Sequence, residues 1–406
     1  MHVIFVEPAF PANQRQFVRA LAAVGARVIG IGERPRAALD EELKSWLTEY
    51  LQIPSVVHEP SLADAVRRVQ RQVWVDRMET TVEAHIMPAA QVRESCGIPG
   101  TSMRTAWLCR DKPSMKETLR AAGIPCAQSA SIDSAAAARE FARQVGYPLI
   151  FKPRAGAGAA GTTRIDNDAG LEQAITSFGV DRGHSIAVEE FIEGHEGFLD
   201  TITIRGEVTH EFVSHYYPNV LEGMRERWIS PQIIATNRVD GEGYDEVKRL
   251  ARRVITALGI DTSATHMEWF FGPRGLKFSE IGCRPPGVGQ WDVYAAANEF
   301  DIYREWAMAI VHGTTSQTLS RRYSCGMIAL RPNRDGRITG YDGLERIDRE
   351  FGEWIVAAHF PAAGTPTQPV EAGYMANAWM RVRHPDYDQL RHIMNTIGET
   401  VRVYAQ

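Results

Sequence analysis

Two apolar runs meet at a turn in the stretch Thr265-His-Met-Glu-Trp-Phe-Phe-Gly-Pro-Arg-Gly-Leu-Lys-Phe-Ser-Glu-Ile281. The runs predict two antiparallel strands, and Pro273-Arg274-Gly275 suits a type I turn that ends in a left-handed Gly. A three-residue loop would pair Gly272 with Leu276 and would place Glu268 opposite Glu280. Because side chains alternate with a period of two, a loop of two or four residues would put these acids on opposite faces.

Two carboxylates that face each other across a sheet repel, and a cation between them relieves the repulsion. Mg²⁺ takes one or two carboxylates and completes its shell with phosphate oxygens and water. Glu268 and Glu280 are therefore predicted to be metal ligands, with Mg²⁺ as the expected ion and Mn²⁺ as its substitute.

The composition is ordinary for a soluble globular protein, with 406 residues of which 44% are hydrophobic and 23% charged. A net charge of -5 gives no basic field, which argues against nucleic acid as a partner. The five cysteines contain no Cys-x-x-Cys pair, so neither a disulfide scaffold nor a zinc site is expected. No apolar run approaches the ~20 residues of a membrane span, and the N-terminus lacks a basic signal-peptide region. These features predict a cytoplasmic protein without a membrane partner.

The first hundred residues alternate strand and helix signals and predict a small parallel α/β unit. Glu7-Pro-Ala-Phe-Pro11 follows the first strand where Gly-x-Gly-x-x-Gly would stand, so a dinucleotide site is not supported. Further along, residues 218–237 are polar and irregular and include Arg225 and Arg227. Such a segment is either a lid with substrate contacts or a plain surface excursion.

A Gly-rich stretch, Gly156-Ala-Gly-Ala-Ala-Gly161, follows Lys152 at the end of a buried strand. Its backbone N–H groups can bind phosphate, although it lacks the Gly-Lys-Ser/Thr ending of a Walker motif. Gly158, Gly161 and Lys152 are accordingly predicted to contact phosphate. The alternative is a flexible solvent loop behind a solvated lysine.

A third stretch, Val188-Glu-Glu-Phe-Ile-Glu-Gly-His-Glu196, reads as an apolar strand that exits through Phe191 and Ile192. Its backbone can meet an adenine edge, and Glu196 is placed to take a ribose hydroxyl. On this stretch alone, a strand followed by a charged turn explains the pattern better.

Taken in order, these motifs resemble the ATP-grasp superfamily of carboxylate–amine ligases. The set consists of Asp111-Lys112, Lys152 before the Gly loop, Glu189-Glu-Phe-Ile192 with Glu196, Glu268, and Glu280-Ile-Gly-Cys-Arg284-Pro-Pro-Gly287. The resemblance covers about residues 1–310 well and the remainder loosely. Within the superfamily, the last motif and the strand-rich tail look like the L-amino-acid ligases, which join amino acids into dipeptides.

The resemblance implies a role for each position. Lys112 and Lys152 would bind ATP phosphates, Glu190 and Ile192 would meet adenine through their backbones, and Glu196 would take the ribose. Glu189 and Phe191 belong to the same nucleotide-binding stretch.

At the reacting end, Glu268 and Glu280 would hold Mg²⁺, and Arg284 would bind the acyl-phosphate or the substrate carboxylate. His266 would touch phosphate or the intermediate, or would be a packed strand histidine. The family often has Asn where this chain has Gly282, which leaves open whether one or two metals bind. Cys283 lacks a visible base partner and is interpreted as a small packed cysteine.

The resemblance also implies an ATP-grasp fold of mixed α/β and α+β class. We expect an N-terminal parallel α/β domain at 1–112, a lid at 113–185, and a C-terminal antiparallel-sheet catalytic domain at 186–406. Its strand-rich tail would begin near residue 320.

The predicted reaction activates a carboxylate, that of an amino acid, as an acyl-phosphate and couples it to an amine, with release of ADP and phosphate. A homodimer is the assembly that the resemblance implies. Two alternatives are a carboxylase-type enzyme that activates bicarbonate and a nucleotide-binding regulatory protein without catalysis.

Overall fold

A parallel α/β unit opens the chain in the computed structural model, which describes residues 1–155 and 161–406. Its four strands lie in the order β3-β2-β1-β4, and every pairing is parallel, as predicted. The strands are β1 (His2–Val6), β2 (Arg27–Gly32), β3 (Leu47–Gln52) and β4 (Arg77–Glu79). The helices are α1 (Gln14–Ala23), α2 (Glu41–Trp46), α3 (Glu59–Gln70), α4 (Ile86–Ser95) and α5 (Met103–Leu108).

A second, antiparallel sheet follows, in the order β5-β8-β6-β7. Its strands are β5 (Ser129–Ile132), β6 (Leu149–Lys152), β7 (Thr163–Ile165) and β8 (Ile186–Glu190). Its helices, with the one that leads into it, are α6 (Lys112–Ala121), α7 (Ala135–Val145) and α8 (Asp168–Ser177). The strand β8 pairs with β5 and β6, so the structure places it in this sheet, beyond the lid boundary expected at residue 185.

The largest sheet has eight antiparallel strands, in the order β13-β12-β9-β10-β11-β14-β17-β16. The strands after the lid are β9 (His195–Ile204), β10 (Glu207–Tyr217), β11 (Gln232–Ala235), β12 (Ser263–Gly272), β13 (Gly275–Gly282), β14 (Ser324–Leu330), β15 (Ile338–Asp342), β16 (Ile355–His359), β17 (Ala378–His384) and β18 (Arg402–Ala405). The remaining pair, β15 and β18, forms a sheet of its own. The helices are α9 (Val220–Gly223), α10 (Asp245–Leu258), α11 (Gln290–Asn298), α12 (Ile302–His312), α13 (Leu344–Phe351) and α14 (Tyr387–Thr400).

Local sequence accounts for several of these boundaries. The helix α10 ends at Gly259, whose φ of 66° is a left-handed conformation that suits glycine. At the start of α6, the carboxylate of Asp111 accepts a hydrogen bond from the Ser114 N–H, which fixes Lys112 in the first turn. The segment 218–237, expected to be irregular, contains the short helix α9 and the strand β11.

Aromatic packing joins the first unit to the large sheet. The ring of Phe17 on α1 lies 5.0 Å from those of Trp291 and Tyr303 and 5.1 Å from that of Trp306. All four side chains are buried in one apolar cluster, which makes the N-terminal unit a rigid platform beside α11 and α12. Among the described residues, no helix is both long and apolar enough to cross a membrane.

Candidate active site

Glu268 and Glu280 pair across β12 and β13, as predicted, and both line one cavity of about 400 Å³. The turn length and the strand register that produce this pairing differ from the prediction. Gly272 pairs with Gly275, so the loop has two residues instead of three, although Gly275 has the expected positive φ of 74°. A register shift between Glu268 and Trp269 leaves Ser279 as the extra residue, and this bulge restores the facing acids.

Two lysines line the same cavity and counter the charge of Glu280. Lys112 Nζ lies 3.2 Å from Glu280 Oε2. Burial opposes charge on Glu280, but Lys112 and Lys152 together outweigh it and lower the pKa of this carboxyl group. This part of the cavity therefore carries both cations and anions.

Lys152 belongs to a buried group of three charged side chains with Lys116 and Glu189. Of these three residues, Lys116 is the one that sequence reasoning missed. Glu189 Oε2 lies 2.6 Å from Lys116 Nζ and 2.7 Å from Lys152 Nζ. Burial opposes the charged carboxylate, but the two lysines outweigh it and lower the pKa of Glu189 to about 2. Lys116 stands four residues after Lys112 on α6, and this helical spacing is the signal that could have identified it.

Glu196 enters the same cavity from β9, where its strand position faces Phe270 of β12. Its Oε2 accepts a hydrogen bond of 2.7 Å from the Val220 N–H. Burial, followed by the nearby Glu268, raises the pKa of Glu196 to about 8. The cavity thus holds more carboxylates than it can readily keep charged in the absence of a further cation.

Glu190, Phe191 and Ile192 line the cavity at the end of β8. The Phe191 N–H donates to the Pro148 carbonyl at 3.1 Å, and the Phe191 carbonyl accepts from Arg274 at 3.2 Å. The Glu190 side chain accepts from the Gln128 N–H at 3.1 Å and pairs with Arg274. Since the Phe191 backbone is engaged within the protein, Ile192 is the better placed of the two to offer its backbone to a base.

His266 lies next to Glu268. Its Nδ1 is 2.7 Å from Asp200 Oδ1 and its Nε2 is 3.5 Å from Glu268 Oε1. Burial opposes the imidazolium, but Asp200 and Glu268 outweigh it and raise the pKa of His266 to about 10. The imidazolium is thereby oriented toward Glu268.

Arg284 lies outside the residues that line the large cavity. Its guanidinium pairs with Glu83 and donates to the Pro285 carbonyl at 2.8 Å. It borders a separate space of about 10 Å³ with Thr80 and Cys283. The predicted lysines and glutamates line one cavity with Phe191 and Ile192, whereas Arg284 is engaged by an acid of the N-terminal unit.

Of the Gly-rich stretch 156–161, the structure describes only the last residue. Gly161 has a φ of 67°, while Gly158 lies outside the described residues. Beyond it, Thr162 lines the cavity, and its carbonyl accepts a hydrogen bond from Arg225, which also lines the cavity. Arg227 pairs instead with Asp335 at 2.7 Å and is not among the lining residues.

A divalent cation fits the donors present. Within residues 1–155 and 161–406, no three His, Cys, Asp or Glu side chains are arranged to hold a metal ion. Two facing carboxylates at the wall of a cavity are nevertheless the protein contribution that Mg²⁺ requires when phosphate oxygens and water complete its shell.

Comparison with known proteins agrees with this geometry. Residues 117–300 match the family model described as the ATP-grasp domain. These residues are an ATP-grasp domain. The match covers Lys152, Glu189, Glu196, Glu268 and Glu280, while Lys112 and Lys116 precede it.

This chain is similar in sequence to an amino acid ligase. An L-arginine-specific L-amino acid ligase of Bacillus subtilis is 28% identical over 220 residues, which are 53% of this chain and 52% of that protein. The match therefore spans about half the length of this relative.

Solved structures with the same fold cover nearly the whole chain. An L-amino acid ligase from Bacillus licheniformis has a TM-score of 0.78 at 17% identity, with 100% of this chain and 98% of that chain covered. An N5-carboxyaminoimidazole ribonucleotide synthetase from Thermotoga maritima has a TM-score of 0.71 at 18% identity, with 100% and 99% covered. These likenesses support the predicted ATP-grasp fold.

Proposed function

We propose that this chain is an ATP-dependent ligase that activates an amino acid carboxylate as an acyl-phosphate and couples it to an amine. The products are an amide or peptide bond, ADP and phosphate. The observation that carries the proposal is the facing pair Glu268 and Glu280 in one cavity with Lys112 and Lys152. This arrangement of two acids and two cations suits a Mg²⁺-bound triphosphate.

In this proposal, Lys112 and Lys152 bind phosphate oxygens, and the loop that contains Gly158 and Gly161 covers them. Glu189, Glu190, Phe191 and Ile192 form the adenine end, where backbone groups at Glu190 and Ile192 meet the base. Glu196 takes a ribose hydroxyl in exchange for the Val220 N–H that it now accepts from.

Glu268 and Glu280 would hold Mg²⁺, or Mn²⁺ in its place, and the bound ion would neutralise charge on the phosphates. A carboxylate does not react with an amine at neutral pH, and phosphorylation gives it a good leaving group. Transfer of the phosphoryl group depends on positioning and charge neutralisation more than on covalent catalysis. Lys152, Arg284 and the imidazolium of His266 supply cations for that purpose.

Arg284 is proposed to bind the substrate carboxylate or the acyl-phosphate. In the structure its partner is Glu83, so a substrate anion has to replace that acid. A guanidinium can bind a carboxylate through two parallel hydrogen bonds, which an ammonium cannot do. An Arg284→Lys variant is therefore expected to lose more activity than its retained charge suggests, as steady-state kinetics with varied carboxylate would show.

The domain limits stay part of the proposal. Residues 1–112 would form the platform, 113–185 together with the strand β8 the lid, and the rest of 186–406 the catalytic region with its tail from about 320. We also retain a cytoplasmic homodimer with small-molecule carboxylate and amine substrates as a prediction.

The decisive experiment measures ADP and phosphate release across all pairs of amino acids, with mass spectrometry of the products. We expect ADP release that requires both an amino acid and an amine, together with a product of amide or dipeptide mass. ADP release driven by bicarbonate in the absence of any amine would instead favour the carboxylase alternative. Nucleotide binding without turnover on any pair would favour a regulatory protein.

A further inference from the structure

Lys116 is a buried cation to which the proposed reaction assigns no role. Its side chain is 1% exposed, that of Glu189 is 6% exposed and that of Lys152 is 11% exposed. Both ammonium groups contact the same carboxylate oxygen, Oε2, while Oε1 of Glu189 is buried and has no hydrogen-bond partner in the structure. Two lysines thus share one acid.

The surroundings of the two lysines differ. Lys152 faces Glu280 and Glu268 in addition to Glu189, and these acids outweigh burial and raise its pKa. Lys116 faces Glu189 but also the like charge of Lys152, and burial lowers the pKa of Lys116 to about 8. Lys152 thus has the acids Glu280 and Glu268 nearby as well as Glu189, whereas the carboxylate that Lys116 contacts is that of Glu189.

The two contacts have different consequences when an anion enters the cavity. If Lys152 turns to a phosphate, it leaves Glu189 or shares its charge. A buried carboxylate without a partner is strongly destabilising. Lys116 remains against Glu189 at 2.6 Å and prevents that loss.

We propose that Lys116 is a positioning residue that keeps Glu189 paired, so that the ammonium of Lys152 is available to a nucleotide phosphate. The inference rests on the proposed function, in which Lys152 contacts phosphate. It assigns to Lys116 no contact with the nucleotide.

The first test is a Lys116→Met variant, assayed by calorimetric titration with ATP, ADP and adenosine. In this variant Glu189 has Lys152 as its remaining lysine and holds that ammonium away from phosphate. We expect affinity for ATP and ADP to fall about tenfold, the scale of one charge-assisted hydrogen bond, and affinity for adenosine to stay unchanged. Lys248→Met is the matched control, because Lys248 pairs with Asp245 on the helix α10.

The second test adds Glu189→Gln, which removes the acid that captures Lys152. The double variant Lys116→Met/Glu189→Gln should recover ATP affinity relative to Lys116→Met. It should also bind ATP within about threefold of Glu189→Gln alone, since a neutral side chain at 189 has no need of Lys116. This second comparison decides the question even when Lys116→Met does not fold.

Equal loss of ATP and adenosine binding in Lys116→Met, or no recovery in the double variant, would overturn the role of Lys116. Lys152→Met separates this inference from the proposed function. Unchanged ATP affinity in Lys152→Met would contradict the phosphate role of Lys152 itself. If ATP affinity is weakened in Lys152→Met but unchanged in Lys116→Met, the inference about Lys116 is contradicted and the proposed phosphate role of Lys152 is not.

Discussion

Glu280 is a half-buried carboxylate that has one lysine in contact and a second lysine nearby. Lys112 is 3.2 Å away, and Lys152 adds a second cation, so the carboxylate stays ionised and available to a divalent ion. The neighbouring acids Glu268 and Glu196 complete a negative wall. We therefore expect the charge of the Glu280 carboxylate alone to determine whether turnover occurs.

A Glu280→Gln variant should keep its fold and lose turnover by about 100-fold or more, because it loses one proposed ligand to the metal. Circular dichroism reports the fold, and ADP release under saturating substrate reports turnover. Glu207→Gln, an exposed acid at the start of β10, is the control and should be fully active. Turnover of Glu280→Gln near that of the control would contradict the metal assignment.

His215 makes a separate prediction about pH. Its Nδ1 is 2.9 Å from His195 Nε2, and its Nε2 is 2.9 Å from the Tyr244 hydroxyl. Burial, followed by the charges of His195 and Arg391, lowers the pKa of His215 to about 3. In the unfolded chain His215 is therefore protonated below about pH 6.5, whereas in the folded chain it stays neutral until the pH approaches 3.

His215 thus contributes stability above pH 6.5 that is lost as the pH falls from 6.5 toward 3. The limiting slope is about 1.4 kcal/mol per pH unit. In His215→Gln, urea unfolding between pH 7.5 and 5 should show a flatter dependence on pH than in the original chain. The exposed His392→Gln is the control and should keep the original slope.

At the scale of elements, the strand β12 lies between β13 and β9 and carries Glu268 to the cavity. Gly197 of β9 pairs with Trp269 and has no room for a side chain. A Cβ there would stand 2.3 Å from Trp269 Cζ2 and 2.7 Å from the Ser214 carbonyl oxygen. This glycine permits the close approach of the two strands that carry Glu196 and Glu268.

Gly197→Ala should therefore lower the free energy of unfolding by about 1–3 kcal/mol, the usual cost of overpacking. Chemical denaturation measures the change. Gly340→Ala is the matched control, since Gly340 also lies in a strand but has no atom within 4 Å of its added Cβ. Equal stability of the two variants would show that β9 can shift without cost.

Sequence patterns predicted the elements better than their details. The helix from Asp245 to Leu258 and its end at Gly259 follow from apolar spacing and a left-handed glycine, and the structure confirms both. The bulge at Ser279 could not be predicted from the sequence. The alternation of side chains in β13 is compatible both with regular pairing and with pairing that leaves one residue unpaired. The Arg284–Glu83 pair was equally inaccessible, since its partners lie 201 positions apart.

At the scale of the whole molecule, a helix and two sheets meet at one cavity. The helix α6 contributes Lys112 and Lys116, the sheet β5-β8-β6-β7 contributes Lys152 and Glu189, and the eight-stranded sheet contributes Glu196, Glu268 and Glu280. The order of motifs along the chain predicted this meeting, because each motif follows or ends a recognisable element. A ligand at the junction should hold the helix and both sheets together.

A non-hydrolysable ATP analogue with Mg²⁺ should therefore stabilise the whole chain. At 100 times its Kd, it should add about 2.7 kcal/mol to the free energy of unfolding. Thermal unfolding with and without Mg²⁺ measures the effect. In Glu268→Gln/Glu280→Gln, the part of the increase that requires Mg²⁺ should disappear, and an increase that persists there would place the ion elsewhere.

The bulge at Ser279 also sets how the hairpin tolerates insertions and deletions. The bulge next to Glu268 and Glu280 determines that both side chains lie on the same face of the hairpin. The tip at Pro273 and Arg274 lies several residue pairs away. Lengthening the tip by an even number of residues, added symmetrically, leaves both acids on their shared face. Loss of the single serine changes that arrangement at once, so natural length variation in this hairpin should be concentrated at its tip.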